Sequence, residues 1–583
     1  MLFYDFEVFK YDWLVCAIDP IKQEEFVIVN SKDDLQTLYN EYKKDVWCGY
    51  NSRNYDQWIL KAILCGFNPK EMNDWIIVDK KKGHEFSSLL YRIKLNDYDV
   101  MPNIPVSLKA LEGFLGKNIH ETSVPFDIDR KLNSTEIAET IDYCRDDVIN
   151  LIDVFLQRKS EFDSQFALVK EFDLPLSSIG KTQAQLAAQI LGAQRVKLKD
   201  EWEIRMPECL QLGKYQYVAD WFMNPENHNE DFKLETKIGG IDSVVAWGGL
   251  HGGIKKFVYE CKDDEVILDA DIGQMYPNIM IHYDLQSRGV KNKKKLPEIL
   301  ETSMRLKREG KKKEREPYKR ICNIVYGAEG DRFNPMYDAL HRKLVCIYGQ
   351  VLMIDLIDKI EDIIKCLNHN TDGIFFVVKK KDIPELKRRI GEWEKRTHLV
   401  MEYDEFMKFV SKDVNNYVAV RPDGSYHAKG AYVKELNPLD YDLPIVNEAV
   451  KNYLLYNKPV EITIGQCNNF IEFQKIVKLS SKYEYVEHEL YTGNVRYDNK
   501  AYRVFASNDK NDGRLLKCKH VDVVDKNTGE VIETKIKKDK FGNTPEHCFI
   551  YNDSVIGVDI PAKLDKAWYI DLAHKRIKDF IGE

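Results

Sequence analysis

The stretch "DADIGQMYPNIMI", Asp269 to Ile281, sets two carboxylates two residues apart in a segment that otherwise reads as buried. Side chains alternate between faces in an extended strand, so Asp269 and Asp271 point the same way while Ala270 packs opposite. A buried carboxylate is costly unless a metal, a basic partner or a shifted pKa relieves it. The run then turns through Gly273 into "MYP". About a hundred residues later a second acidic turn, Asn370-Thr371-Asp372-Gly373, leads into the apolar strand "IFFVV", the layout of half a hairpin. Two carboxylates on adjacent strands can hold two divalent ions roughly 4 Å apart, the arrangement for in-line phosphoryl transfer.

The chain around this stretch has 583 residues, too many for one hydrophobic core, and its length suggests roughly three to five domains. With 44% apolar and 31% charged residues the composition is that of a soluble globular protein. No apolar run approaches the roughly 20 residues of a membrane span, and "MLFYDFEVFK" lacks the layout of a secretory signal. A cytoplasmic protein without membrane contact is expected. The twelve cysteines stand singly, with no C-x-x-C, which argues against a disulfide framework or a zinc cluster. "CKH" at Cys518 to His520 and "EHC" at Glu546 to Cys548 match no common zinc spacing.

A net charge of −8 does not exclude nucleic acid, because binding depends on where charge lies. From Arg288 to Arg320 there are fourteen Lys or Arg against five Glu. Gly310 and Pro317 are expected to divide this basic region into two helical pieces.

Along the chain, strand and helix signals alternate up to about residue 155: "LFYDFEVF" and "EEFVIVN" as strands, "SKDDLQTLYNEYKK" as a helix, "DVWCGYN" as a strand, "YDQWILKAIL" as a helix. A helix is expected over Thr182 to Leu191, a turn-rich loop over "WGGLHGG" (Trp247 to Gly253), a strand at "EVILDAD" and a helix from about Asn334 to Lys365. Later come strands, the helix "NEAVKNYLLY", a β-rich region punctuated by "NDG" and "NTG" turns, and the closing helix "LDKAWYIDLAHKRIKDFI". The fold class expected is mixed α/β.

The basic region ends in "KRICNIVYG", where Lys319, Asn323 and Tyr326 fall at i, i+4 and i+7 on one helical face. Gly327 follows as a close-packing or capping position. A lysine there suits triphosphate charge, and an aromatic ring suits stacking near a base pair.

The order "DIGQMYP" (Asp271 to Pro277), "KRICNIVYG" (Lys319 to Gly327) and "NTDG" (Asn370 to Gly373) resembles motifs A, B and C of family B DNA polymerases, DxxSLYP, KxxxNSxYG and DTDS, and looks most like their small bacteriophage branch. The N-terminal "DFE" (Asp5 and Glu7), "NSRNYD" (Asn51, Tyr55 and Asp56) and "YCRDD" (Tyr143 to Asp147) resemble the family's three exonuclease motifs. Four carboxylates with a tyrosine suit two-metal hydrolysis of a phosphodiester.

The resemblance implies an RNase H-like 3'-5' exonuclease over residues 1–160 and a connecting region over 161–260. A right-hand polymerase would follow, with palm at 261–285 and 328–400, fingers at 286–327 and thumb at 401–465, then a β-rich C-terminal extension at 466–583. It implies magnesium, two ions at each site with manganese as a substitute, held by Asp271 and Asp372 and by Asp5, Glu7 and Asp147, with Asp56 and Tyr143 completing the nuclease site. Lys319 would grip the dNTP, Asn323, Tyr326 and Gly327 would line the nascent pair with Thr371 nearby, and Tyr276 would underlie the sugar. Asn51 would bind the strand to be trimmed. "AWGGLHGG" resembles the family's Y-x-G-G loop, keeping Gly248 and Gly249; "VNNYVAV" resembles KxY through Tyr417, and "AKGAYV" resembles a later KG element through Lys429. Primer–template DNA, dNTPs and replisome proteins such as helicase, single-strand-binding protein and primase are the partners implied, around a monomer in a bacterial host's cytoplasm.

Four positions depart from the pattern: Asn370 for the first motif C Asp, Gln274 for the motif A serine, Asn415 for the KxY lysine and Ala246 for the loop tyrosine. Asp269 is an extra acid that could supply the charge lost at Asn370. Asp271 and Lys319 are only 48 residues apart, and Gly327 and Asp372 only 45, which leaves no room for the insertions of protein-primed members. Asn370 favours a rival reading as a nuclease with a degenerate polymerase part, and a terminal protein would favour protein priming.

Overall fold

A computed structural model describes residues 1–524 and 531–582; the expected "NTG" turn lies outside them. The N-terminal unit is built on strands β1 (Leu2–Val8), β2 (Trp13–Asp19), β3 (Glu24–Val29), β4 (Val46–Gly49) and β5 (Asn96–Asp99). They lie in the order β3-β2-β1-β4-β5, antiparallel among the first three and parallel from β1 through β4 to β5. β1 is apolar at every position but two, so it is buried on both faces and must sit centrally, which carries Asp5 and Glu7 into the interior. The helix Ser134–Gln157 packs on β1 and β2. Its start is fixed by a capping box between Asn133 and Glu136.

The central sheet holds β6 (Lys233–Ile238), β7 (Ile241–Ala246), β8 (Gly249–Gly253), β10 (Glu265–Ile272), β11 (Ile364–Asn370), β12 (Gly373–Lys379) and β13 (Met401–Phe406), in the order β13-β10-β12-β11-β8-β7-β6. All its pairings are antiparallel. Between β8 and β10, β9 (Phe257–Glu260) leaves to join a second antiparallel sheet with β14 (Lys408–Asp413), β15 (Asn416–Val420) and β16 (Tyr426–Lys429). The helix Ala339–Ile360 is buried almost all round. Gly349 lets it pass close to Met275 and Thr371, since a Cβ there would lie 3.0 Å from the Met275 sulfur.

Several local expectations are corrected. "WGGLHGG" is a hairpin, Ala246 pairing with Gly249, not a loop; Gly249 has φ +151°, beyond the reach of most side chains. The basic region divides once, at Gly310 (φ +71°), into the helices Lys295–Arg308 and Lys312–Gly330. Pro317 stays inside the second helix. The helix expected from Asn334 begins at Ala339, capped by Asp338, because Asn334 to Tyr337 are used in turns. β2 went unread in sequence because its apolar run lacks alternation.

The C-terminal part carries the helices Pro444–Tyr456, Val460–Gln466 and Lys566–Ile581, which pack on one another, and two small antiparallel sheets. Arg503, fully buried, ties this part to the N-terminal unit. Its guanidinium donates to Gln474 Oε1 (3.0 Å) and to the carbonyls of Gly113 (3.0 Å), Lys117 (2.7 Å) and Asp553 (2.6 Å). No helix among the described residues is long and apolar enough to cross a membrane.

Candidate active sites

Two acidic centres lie on different sheets. In the central sheet, β10 is flanked by β12 and β13, with Asp271 opposite Gly373 on one side and opposite Glu402 on the other; Asp269 faces Asp404. Directly opposed residues share a face, so strand pairing alone gathers Asp269, Asp271, Glu402 and Asp404. The β11–β12 turn adds Asp372, whose carbonyl accepts the Ile272 N–H at 2.7 Å. Asp269 is 9% exposed, whereas Asp271 opens to solvent, which corrects the expectation that both would be buried. Partial burial, then the charges of Asp372, Asp404 and Glu402, push the Asp271 carboxyl up to about 6. Burial and then Asp271, Asp404 and Asp372 push Asp269 up to about 8. Lys429 is the cation that opposes both shifts.

The departures of motif C have local causes. Asn370 Oδ1 accepts the N–H groups of Asp372 (3.2 Å) and Gly373 (2.6 Å), so its side chain shapes the turn that presents Asp372. A side chain at Gly373 would collide with Asp271 Oδ1, so glycine here lets the two acidic strands approach. Thr371 is turned inward and accepts the Leu250 N–H at 2.9 Å; Gly249 packs against its hydroxyl.

Tyr276, after the strand turn, stacks on Tyr326 of the basic helix with ring centroids 4.0 Å apart and planes 3° from parallel. This contact joins the first two motifs and adds about 0.5–1.5 kcal/mol beyond burial. Gln274 adopts φ +50° in the turn from β10 into the helix Met275–His282, which carries Tyr276. Lys319 is half-buried on the same helix. Asn323 and Gly327 are exposed and line a 340 Å³ cleft shared with Arg53, Asp99 and Lys181. The expectation that Gly327 is a cap or a close-packing point is corrected: the helix runs on to Gly330 and nothing lies within 4 Å of a Cβ built there. Gly248 is likewise open. Tyr417 is 6% exposed, packed on Phe375 and Phe409 and paired across the sheet with Lys429.

In the N-terminal unit, Asp5 and Glu7 on β1 approach Cys144, with ligand atoms of all three within 4.8 Å of one another. Asp56 opens the helix Asp56–Cys65 and accepts the Phe6 N–H at 3.2 Å. Tyr143 and Asp147 come from the helix Ser134–Gln157. Burial and then Asp147 push the Asp5 carboxyl up to about 8; Glu7 and Asp56 are raised by burial and by Asp5. Asn51 sits at φ +60° just after β4, its N–H held by Asp99 Oδ1 at 2.9 Å.

Sequence reading missed three groups here. Lys109 pairs with Asp147 and with Glu112 (3.3 Å) and lies 4.5 Å over the Tyr143 ring. Nothing local in its sequence signals that placement. Asp404 and Glu402 do carry a signal, the same i, i+2 acid spacing as Asp269 and Asp271. Asp97 and Asp99 repeat it on β5; Asp97 is buried and held by Tyr4 and Ser52.

Both clusters suit divalent cations: each gathers several carboxylates whose proton affinities are raised by burial first and then by one another, although in the central cluster the outer acids already have partners, Glu402 with Lys307 at 2.5 Å and Asp404 with Arg421 at 3.4 Å. No protein-family model matches the chain, and no curated protein is similar to it. Among solved structures, the family B DNA polymerase from the hyperthermophilic archaeon Pyrobaculum calidifontis aligns with 99% of this chain and 77% of its own, at 14% identity and a TM-score of 0.42.

Proposed function

We propose that the protein is a template-directed DNA polymerase of family B, with a 3'-5' exonuclease in its N-terminal unit. The observation that carries this is the meeting of Asp271, on β10, with Asp372, in the adjoining β11–β12 turn, beside the stacked Tyr276–Tyr326 pair. An acidic cluster on a separate five-stranded sheet, with Asp5 and Glu7 on its central strand, supports the second activity.

Asp271 and Asp372 would hold magnesium at the polymerase site, and Asp5, Glu7 and Asp147 at the nuclease site. When bound, these ions supply the charge that stabilises the attacking and leaving oxygens of phosphoryl transfer. The chain's own residues position the substrates. Lys319 would neutralise the triphosphate of the incoming dNTP, while Tyr276, stacked on Tyr326, would offer a flat floor for its sugar. Asn323 and Gly327, exposed on the cleft they share with Arg53 and Asp99, would line the nascent pair from that side. Lys429 faces the acids and suits the primer backbone. At the nuclease site, the Tyr143 phenol would orient water and Lys109 would hold Asp147 in place. The basic helices make DNA binding salt-sensitive. A phage genome is the replication target in this reading. Because Asn370 is occupied as a turn former, it weighs little in favour of a nuclease alone.

The test is magnesium-dependent extension of a 5'-labelled primer, with and without dNTPs, by wild type, Asp372→Ala and Asp5→Ala/Glu7→Ala. Extension with dNTPs, degradation without them and loss of one activity in each variant are expected. Degradation without extension under every condition would overturn the polymerase assignment.

A further inference from the structure

Asp512–Val524 and Val531–Lys540 form a two-stranded antiparallel ribbon at the edge of the last small sheet. Apart from Asp539, every residue of Val531–Lys540 is exposed. The two strands carry seven Lys or Arg against four Asp or Glu, in a chain whose net charge is −8. Because neighbouring side chains alternate, Lys517, Lys519 and Val521 share one face with their partners Asp539, Lys537 and Lys535.

Lys519 stands directly opposite Lys537, an arrangement that destabilises a ladder by itself. The compensation is incomplete: Lys535 meets Glu533 at 2.6 Å and Lys537 meets Asp539 at 3.5 Å, while Lys519 has no carboxylate partner among the described residues. Lys517 and Lys519 instead lie over the Tyr483 ring, at 4.8 and 5.5 Å. Edge strands often carry a lysine to block pairing with another chain. One suffices for that purpose, and it gives no reason to oppose two across the ladder.

We propose that this lysine face binds the phosphate backbone of duplex DNA. The ten residues of the edge strand Val531–Lys540 span about 33 Å, close to one turn of the double helix, and beyond Cys518, where the pairing with Tyr485–Leu490 ends, the two strands stand alone as a ribbon of the kind the major groove admits. The choice of DNA among polyanions rests on the polymerase reading. The ribbon shares its sheet with Tyr485–Leu490 and adjoins the small sheet that Arg503 fastens to the N-terminal unit. DNA held there is therefore referenced to the nuclease side of the molecule.

The test uses the full chain, a fluorescent primer–template and a potassium chloride titration of binding, comparing wild type with Lys517→Ala/Lys519→Ala/Lys535→Ala/Lys537→Ala. Each phosphate contact on duplex contributes about 0.9 to the slope of log K against log salt, so the slope should flatten by about 3 to 4. Single-turnover extension at saturating DNA should be unchanged. An unchanged slope would overturn the proposal and leave the polymerase reading intact. Wild type that shows the ribbon-dependent slope and never extends a primer would do the reverse. An equal loss of affinity for single-stranded oligo(dT) would overturn the assignment to duplex. Lys519→Glu should bind more weakly than Lys519→Ala in case the quadruple variant folds poorly, and equal binding of the two would also refute the inference.

Discussion

Asn370→Ala removes one side-chain oxygen that accepts two main-chain N–H groups, Asp372 at 3.2 Å and Gly373 at 2.6 Å. A net hydrogen bond is worth about 1 kcal/mol, and the first of these is exposed and the second half-buried, so the loss should be about 1–2 kcal/mol. In a cooperative unit of roughly 200 residues that lowers Tm by about 2–8 °C. The larger effect should fall on activity, because the turn fixes Asp372 against β10 and a displacement of about 1 Å can cost on the order of 100-fold in rate. Asn370→Asp keeps the acceptor and should melt closer to wild type than the alanine variant. The assay is thermal melting in EDTA beside primer extension over a magnesium titration. If Asn370→Ala melts and extends like wild type, the turn role is refuted. If Asn370→Asp sharply lowers the magnesium requirement, the position is an eroded metal ligand instead.

Three further outcomes follow from the same geometry. Asp5, pushed up to about 8 by burial and Asp147, keeps a proton in the folded protein that the unfolded chain releases near pH 4. Metal-free stability should therefore fall as pH rises from about 4 to about 8, and Asp5→Asn should gain on wild type at about pH 8 but not at about pH 4; parallel melting curves in EDTA would contradict this. Gly373→Ala drives a methyl group into the Asp271 carboxylate, so primer extension should drop about 100-fold with nuclease activity kept, as paired assays on one preparation would show. Arg503→Met strands carbonyls in both the N-terminal unit and the C-terminal part, costing about 3 kcal/mol or more, and limited proteolysis should cut the C-terminal part free at a lower temperature than in wild type.

Periodicity and turn chemistry made much of the local structure legible: the strand with Asp269 and Asp271, the hairpin half after Asn370, the helices capped at Ser31 and Thr182 and the closing helix all stand where their patterns put them. The spacing of Lys319, Asn323 and Tyr326 also gave the helix that carries them. Where the pattern misled, tertiary context won. Pro317 is absorbed into a helix, and the glycines after Trp247 form a hairpin because Gly249 must fit against Thr371.

The sequence by itself determined which side chains could do chemistry and which of them share a strand or a helix face, because those relations depend only on local backbone geometry. Only the tertiary structure decided which strands are neighbours. That choice sets Asp404 opposite Asp269, brings Lys109 onto Asp147, stacks Tyr276 on Tyr326 and cages Arg503 between parts of the chain nearly 400 residues apart. Each of these contacts joins segments far apart in the chain, and their energies come from burial and charge compensation that no local pattern encodes.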